Sequence, residues 1–231
     1  MDIQSLQNTI QYHFKNSSLL VKSLVHKSYL SDKDKKIEIS ESNERLEFLG
    51  DAVLEMVVTE YLYNNYSENE GFLTSLRASL VNYRTIGDVG VEIGLEEIIY
   101  LSSGEKLELG KARHTIVADA VEALIGAIYL DGGYQNSADF IKTFILPKLN
   151  LIIENELYKD PKTQIQEMIQ KLNHVTPKYQ MLKSEGKDHD KTFVVGLMIG
   201  DTLIAEGSGK SKQDAETMAA KKAIQELKRN N

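Results

Sequence analysis

The sequence predicts two domains of different class, an all-α domain followed by a small α+β domain, and three observations carry that prediction. Apolar residues recur at three-to-four spacing through Ser18–Tyr29, Asn43–Tyr63, Thr74–Val91, Ala118–Leu130 and Asn136–Leu149. Beyond Lys178 the period becomes two: Phe193, Val195, Leu197 and Ile199 alternate with Val194, Gly196 and Met198. Between the two regimes lies the polar stretch Tyr158-Lys159-Asp160-Pro161, which reads as a linker. The expected division is a helical domain over 1–153, a linker over 154–160 and a second domain over 161–231.

Each helix of the first part is bounded by Gly or clustered charge: Asp32–Glu38, Ser67–Gly71, Ser102–Arg113 and the Asp131-Gly132-Gly133 stop. In the second part, Thr163–Leu172 reads as a short amphipathic helix. Gly200-Asp201 turns the alternating strand into Thr202–Glu206, and an alanine-rich helix closes the chain from about Lys212 to Lys228. The order over 161–231 is therefore α-β-β-β-α.

Composition narrows the chemistry. The 231 residues contain no Cys, which excludes disulfides, thiolate metal sites and cysteine nucleophiles and accords with a reducing cytoplasm. Met1–Tyr12 has neither a basic nor an apolar signal region. No run of about 18 apolar residues occurs, so a cytoplasmic protein without a membrane span is expected. The net charge of −7 is unevenly placed: residues 1–154 hold 14 Lys and Arg against 23 Asp and Glu, for −9, and residues 155–231 hold 13 against 11, for +2. An acidic metal site joined to a nucleic-acid-binding module fits that split, as do many unrelated proteins. The five histidines are scattered without an H-x-x-x-H pair, which argues against zinc, and His26 reads as structural.

The segment Asn43-Glu44-Arg45-Leu46-Glu47-Phe48-Leu49-Gly50-Asp51-Ala52-Val53-Leu54 is the most informative. At about 100° per residue Glu44, Glu47 and Asp51 share one face, while Leu46, Leu49, Val53, Met56 and Val57 form the expected core side. Stacked like charges cost helix stability, so a cation against this stripe would be stabilising. A second helix offers Asp119 and Glu122 at i, i+3, backed by Val121, Leu124, Ile125 and Ile128. Gly126 continues its acidic face without a side chain, leaving room for a close neighbour. Two such faces brought together would present hard oxygen ligands suited to Mg²⁺ or Mn²⁺ rather than zinc. Spacing by itself is equally compatible with two solvated helix faces.

That segment closely resembles the signature of the ribonuclease III family, and Asp119-Ala120-Val121-Glu122-Ala123-Leu124-Ile125-Gly126-Ala127 is similar to the family's second acidic motif. The resemblance runs over essentially the whole chain. It implies an endonuclease for double-stranded RNA in which Glu47, Asp51, Asp119 and Glu122 bind Mg²⁺ (Mn²⁺ as substitute) and Glu122 weighs most in catalysis. It also implies an auxiliary role for Glu44, and places Glu70, in Asn69-Glu70-Gly71, near a partner subunit's site. Phe48 lies beside the acids, away from the core stripe, and the matching family position inserts into a second subunit, which implies a homodimer. Glu55, one turn past Asp51, reads as solvated.

The second domain resembles a double-stranded-RNA-binding domain, through Lys159–Glu167 at its start and Gly209–Glu216 with Ala219–Ala223 near its end. Such domains read A-form shape, 2′-hydroxyls and phosphates. The resemblance assigns Thr163, Gln164 and Glu167 to one minor groove, His189 to a second, and Lys210, Ser211 and Lys212 to phosphate at a helix start. Gln213 departs from the family's frequent second Lys or Arg. Lys111 and Arg113 read as part of a polar surface loop. No organic cofactor is implied. The competing class is an RNA-binding protein that has lost catalysis, and the four intact acids disfavour it.

Overall fold

The computed structural model describes residues 2–33, 39–107, 110–173, 176–185 and 191–229. They divide into two compact units, Met1–Tyr158 and Lys159–Asn231. The stretch expected to be linker is largely absorbed by the units on either side. Tyr158 packs edge-on against Phe72 at 5.1 Å, and Ser79 Oγ donates to the Leu157 carbonyl at 3.4 Å. On the other side, Asp160 accepts from the Thr163 amide at 3.0 Å and so starts the next helix.

The first unit is helical as expected, with more breaks than the periodicity revealed. Its helices are α1 (Ile3–Thr9), α2 (Ser17–Ser23), α3 (Lys27–Leu30), α4 (Glu44–Asn65), α5 (Glu70–Leu80), α6 (Tyr83–Glu92), α7 (Lys111–Phe144) and α8 (Lys148–Glu154). The expected helix Ser18–Tyr29 is two, because Val25 pairs with Tyr100 in an isolated bridge and His26 starts α3 by accepting from the Ser28 amide. His26 is thus a cap, in keeping with a structural role. The expected helix Thr74–Val91 also divides, since Asn82 accepts from the amides of Arg84 and Thr85 and starts a new helix there. In both places a polar cap interrupts the helix while the apolar stripe continues across the break.

α7 begins earlier than expected, so Lys111 and Arg113 lie in its first turn and not in a loop. The expected Asp131-Gly132-Gly133 stop is present within this span: Gly133, with φ of 79° and ψ of −178°, is not helical, and α7 is two helical segments meeting there at a corner. Asp131 fastens this corner to the N-terminal segment. Its carboxylate accepts from Tyr12 Oη at 2.7 Å and from the amides of Lys15 and Asn16 at 2.9 and 2.8 Å. α4 and α7 form the most extensive helix pairing of the unit, and Leu54, Leu62, Leu76, Leu80, Leu124 and Ile125 are fully buried around them.

The second unit runs α9 (Pro161–Asn173), β1 (Lys178–Glu185), β2 (Thr192–Ile199), β3 (Thr202–Gly209) and α10 (Lys212–Arg229). The sheet is antiparallel in the order β1-β2-β3, with Tyr179 opposite Leu197 and Leu197 opposite Ala205. Gly200, at φ 58°, makes the β2–β3 turn. The alternation anticipated in β2 is blurred in burial: Val195, Gly196 and Leu197 are all buried, while Phe193, Val194, Met198 and Ile199 are half-buried, and Leu197 joins the core with the helices. The alanines of α10 have a packing reason, because a Cβ on Gly207 of β3 would lie 2.1 Å from the Ala219 amide nitrogen. Helix and sheet touch backbone to backbone.

Candidate functional site

α4 and α7 cross through a pair of glycines. A Cβ on Gly50 would lie 1.8 Å from the Glu122 carbonyl oxygen, and one on Gly126 would lie 2.2 Å from the Leu46 carbonyl oxygen. No other residue type permits that approach, so the two backbones meet at the seam. The room left by Gly126 was legible in the sequence; the reciprocal part of Gly50 was missed.

The seam sets the acids. Glu47 follows buried Leu46, Asp51 follows buried Gly50, and Asp119 and Glu122 sit between buried neighbours on α7. All four are brought within electrostatic reach. Burial first, then the charges of Asp119 and Glu44, push the Glu47 carboxyl up to about 7. Burial, then Asp51, Asp119 and Glu47, push Glu122 up to about 8. Burial also raises Asp119, and Lys27 opposes it. Such shifts express destabilised negative charge. An oxygen-only donor set of this kind fits a hard divalent cation, which would lower the free energy of all four ionised groups together. Among the described residues no three Asp, Glu or His side chains close around one point as a finished coordination shell.

Glu44 stands apart from the four. It is exposed, accepts from Ser42 Oγ at 2.9 Å and from Lys27 Nζ at 3.3 Å, and those hydrogen bonds hold its carboxyl below the usual range. Glu55 is exposed, as expected, and Glu70 is exposed in the first turn of α5. Asn43 was not singled out by sequence reasoning, yet it anchors the start of α4. It is 2% exposed, its amide donates to the Val25 carbonyl at 2.8 Å, and its Nδ2 donates to the Ser23 carbonyl at 3.4 Å.

Phe48 is 82% exposed, as its place on the helical wheel implied. Met56 corrects the expected core stripe: it is exposed, at the edge of the face that buries Leu46, Val53 and Val57. With Tyr63 it extends the outward apolar surface of α4, beside an open hollow of about 540 Å³ lined by Ala52, Glu55, Met56, Thr59, Tyr63 and Arg77 among others.

On α9, Thr163 and Glu167 are exposed, whereas Gln164 is 8% exposed and turned toward the interior. Of the three side chains expected to face a groove, Thr163 and Glu167 are the exposed ones, and Gln164 lies one turn before half-buried Met168, at the edge of the core-facing stripe. Lys210, Ser211, Lys212 and Gln213 are all exposed at the start of α10. Ser211 caps that helix, its Oγ accepting from the Asp214 amide at 3.0 Å and donating to Asp214 Oδ2 at 2.8 Å. His189 lies outside the described residues. In the first unit, Lys111 Nζ sits 5.3 Å over the Tyr83 ring, and Arg113 reaches the Glu96 carbonyl.

Residues 16–149 match the ribonuclease-III-like family pattern, more than half of the chain. The chain belongs to the ribonuclease III family. Residues 161–227 match the double-stranded RNA binding motif, so the order of domains is that of a ribonuclease III with its RNA-binding module. Ribonuclease 3 of Bdellovibrio bacteriovorus is 39% identical over 224 residues, covering 96% of this chain and 94% of that protein. Ribonuclease 3 of Clostridium tetani is 42% identical over 235 aligned positions, covering 100% and 97%. Among solved structures, the nuclease domain of ribonuclease III from Campylobacter jejuni superposes with a TM-score of 0.56 at 39% identity, covering 62% of this chain and 96% of that one. That domain is described as flexible in a region involved in its dimer formation. The present chain is accordingly a double-stranded-RNA endonuclease of the ribonuclease III family. Among the described residues, no helix is long and apolar enough to cross a membrane.

Proposed function

We propose that the enzyme hydrolyses phosphodiester bonds of duplex RNA with divalent metal, Mg²⁺ or Mn²⁺, held by Glu47, Asp51, Asp119 and Glu122, and leaves 5′-phosphate and 3′-hydroxyl ends. The observation that carries this reading is the Gly50–Gly126 crossing, which gathers four acids, among which Glu47 and Glu122 have carboxyls raised by burial and by the neighbouring acids. Bound divalent cations supply a lowered water pKa and charge neutralisation at phosphoryl oxygens. The chain's own part is positional. Both helices hold their acids on rigid backbone, and Asn43 fixes the first turn of α4. Glu122, whose carboxyl is pushed up further than that of Glu47, is the group whose loss should cost most.

The working form is a homodimer that docks through the outward face of α4, with Phe48 entering the second subunit and Glu70 near that subunit's site. Two sites across one dimer give staggered cuts. The exposure of Phe48, Met56 and Tyr63 supports this surface. Thr163, Glu167 and the Lys210–Lys212 helix start contact the duplex, with His189 as a further contact and Gln164 supporting α9 from within. The substrates are precursors of ribosomal and messenger RNA in the cytoplasm.

The test is cleavage of a uniform RNA duplex with Mg²⁺, beside Glu122→Gln and a Ca²⁺ control. Wild type that cuts, with a variant that binds but does not, upholds the reading. Wild type that binds duplex RNA and cuts with no divalent ion refutes the site.

A further inference from the structure

At the start of α10 only small side chains face α9 and the sheet. α9 contributes Ile165 and Ile169 to the core, and α10 offers Ala215, Ala219, Ala220 and Ala223 over its first three turns, with Ile224 and Leu227 only toward its far end. Alanines let α10 lie close on the sheet, but side chains of one carbon interdigitate weakly with a neighbouring helix and leave its axial position loosely determined. A polar tie supplies what the alanines lack. Lys162 Nζ, in the first turn of α9, donates to Glu216 Oε2 of α10 at 2.5 Å. The same ammonium lies 4.9 Å from the Tyr179 ring centroid on β1, so one cation joins α9, α10 and the sheet. Lys162 and Glu216 are both only partly exposed, at 36% and 27% of their side chains, where an ion pair is screened less than on an open surface.

The tie also sits at the informative end of both helices. Lys162 immediately precedes Thr163. Glu216 is one turn, or ~6 Å along the axis, after Lys212. A-form RNA is recognised by the separation of its grooves and phosphates, so a module that reads it needs a fixed spacing between its groove-facing and phosphate-facing elements.

We propose that Lys162, Glu216 and Tyr179 form a spacing clamp that holds α9 against the start of α10 at the separation duplex RNA requires. They are positioning residues, with Lys162 acting on RNA through Glu216 and not as a phosphate ligand. The inference rests on the reading of α9 and α10 as the RNA-facing helices.

The experiment measures binding of the full chain to a uniform RNA duplex in Ca²⁺ as a function of salt, and cleavage in Mg²⁺. The variants are Lys162→Met, Glu216→Gln, Lys162→Glu, Glu216→Lys and the double exchange Lys162→Glu with Glu216→Lys. Circular dichroism melts accompany each one, and the conservative pair Lys162→Met and Glu216→Gln keeps the test open should a charge reversal unfold the module. Each single change is expected to weaken binding roughly tenfold, within the range of coupling for contacting charged pairs, with KM raised and kcat at saturating RNA unchanged. The double exchange is expected to restore affinity, and the slope of log affinity against log salt stays that of wild type. Should the exchange fail to restore binding while the slope falls by about one phosphate contact, Lys162 is a direct ligand and the clamp is refuted. Wild-type affinity in the single variants refutes it equally. A wild-type chain that does not bind duplex RNA at all removes the underlying reading of the two helices, and the clamp with it.

Discussion

Gly50→Ala puts the α4–α7 seam to a test in which two physical effects have opposite signs. In an ordinary helix interior the change is favourable, because alanine restricts the unfolded chain more than glycine and gains ~0.5–1 kcal/mol. Here the new Cβ would lie 1.8 Å from the Glu122 carbonyl oxygen, 2.7 Å from its carbon and 2.8 Å from the Gly126 nitrogen. Ordinary van der Waals contact begins near 3.4 Å, so the deficit is about 1.6 Å, against backbone that has no rotamer to change. Overpacking costs ~1–3 kcal/mol, and contact with backbone belongs at the upper end. The net loss is then about 2–2.5 kcal/mol, a fall of roughly 4–10 °C in the melting of the first unit. Activity should suffer more than stability. Relief of the clash moves α4 and α7 apart by on the order of 1 Å and separates Glu47 and Asp51 from Asp119 and Glu122, and a displacement of that size costs about a hundredfold in rate. The assay pairs circular-dichroism melts with duplex-RNA cleavage in Mg²⁺. A variant that melts higher than wild type and cuts at the wild-type rate would show that helix propensity prevails and that the glycine seam does not set the site.

Further outcomes follow from the same structure. Glu47 and Glu122 titrate near 7 and 8 in the folded chain and near 4.5 when unfolded. Between those values the folded state holds protons the unfolded state has released, so metal-free stability is full below about pH 4.5 and declines as pH rises toward 8. Melts in EDTA across that window should show the decline and Glu122→Gln should flatten it, while a rise in wild-type stability over the window would contradict the assignment. Mg²⁺ should accordingly raise the melting temperature more at pH 8 than at pH 6, which calorimetry at the two pH values decides. Asn43→Ala removes the bond to the Ser23 carbonyl in a buried place and should cost ~1–2 kcal/mol, read by urea titration; an unchanged midpoint would remove its anchoring role. Asp131→Ala deprives Tyr12 of its acceptor. Burial and that carboxylate hold the Tyr12 phenol above its ordinary value, so ultraviolet titration should find one tyrosine shifted down in the variant.

Much of the site could be read from the chain, and the reasons differ between its parts. Regular i, i+3 and i+4 spacings placed Glu47, Asp51, Asp119 and Glu122 on two helix faces without reference to the rest of the fold, but only the resemblance to the family's two acidic motifs separated them from solvated faces. Gly126 was legible as an empty place on an acidic face. Gly50 was not, because nothing local distinguishes a glycine that admits a neighbouring helix from one that is merely tolerated. The division of α5 from α6 was obscured by an apolar stripe that continues across Asn82, although an asparagine followed by two amides in need of an acceptor was the available signal. The low exposure of Gln164 could not be read from its position in the motif. Which positions at the margin of the Ile165–Ile169 stripe are covered depends on the sheet and α10 that pack against it, which no local pattern reveals. Met56 failed for a simpler reason, since a residue at the margin of a helical stripe is buried only if a neighbour reaches it.

The glycine seam also constrains how this enzyme can be altered. Each of the four acids is next in sequence to a buried residue of α4 or α7, so the interior and the acidic face are opposite sides of the same few residues. A designer seeking heat resistance has little freedom there, because each gain in packing at Leu46, Ala118, Val121 or Ala123 shifts a carboxylate. α8, and the α5 face that receives Tyr158, lie outside that linkage. Directed evolution should therefore collect its tolerated stabilising substitutions at the rim of the first unit and leave the centre almost untouched.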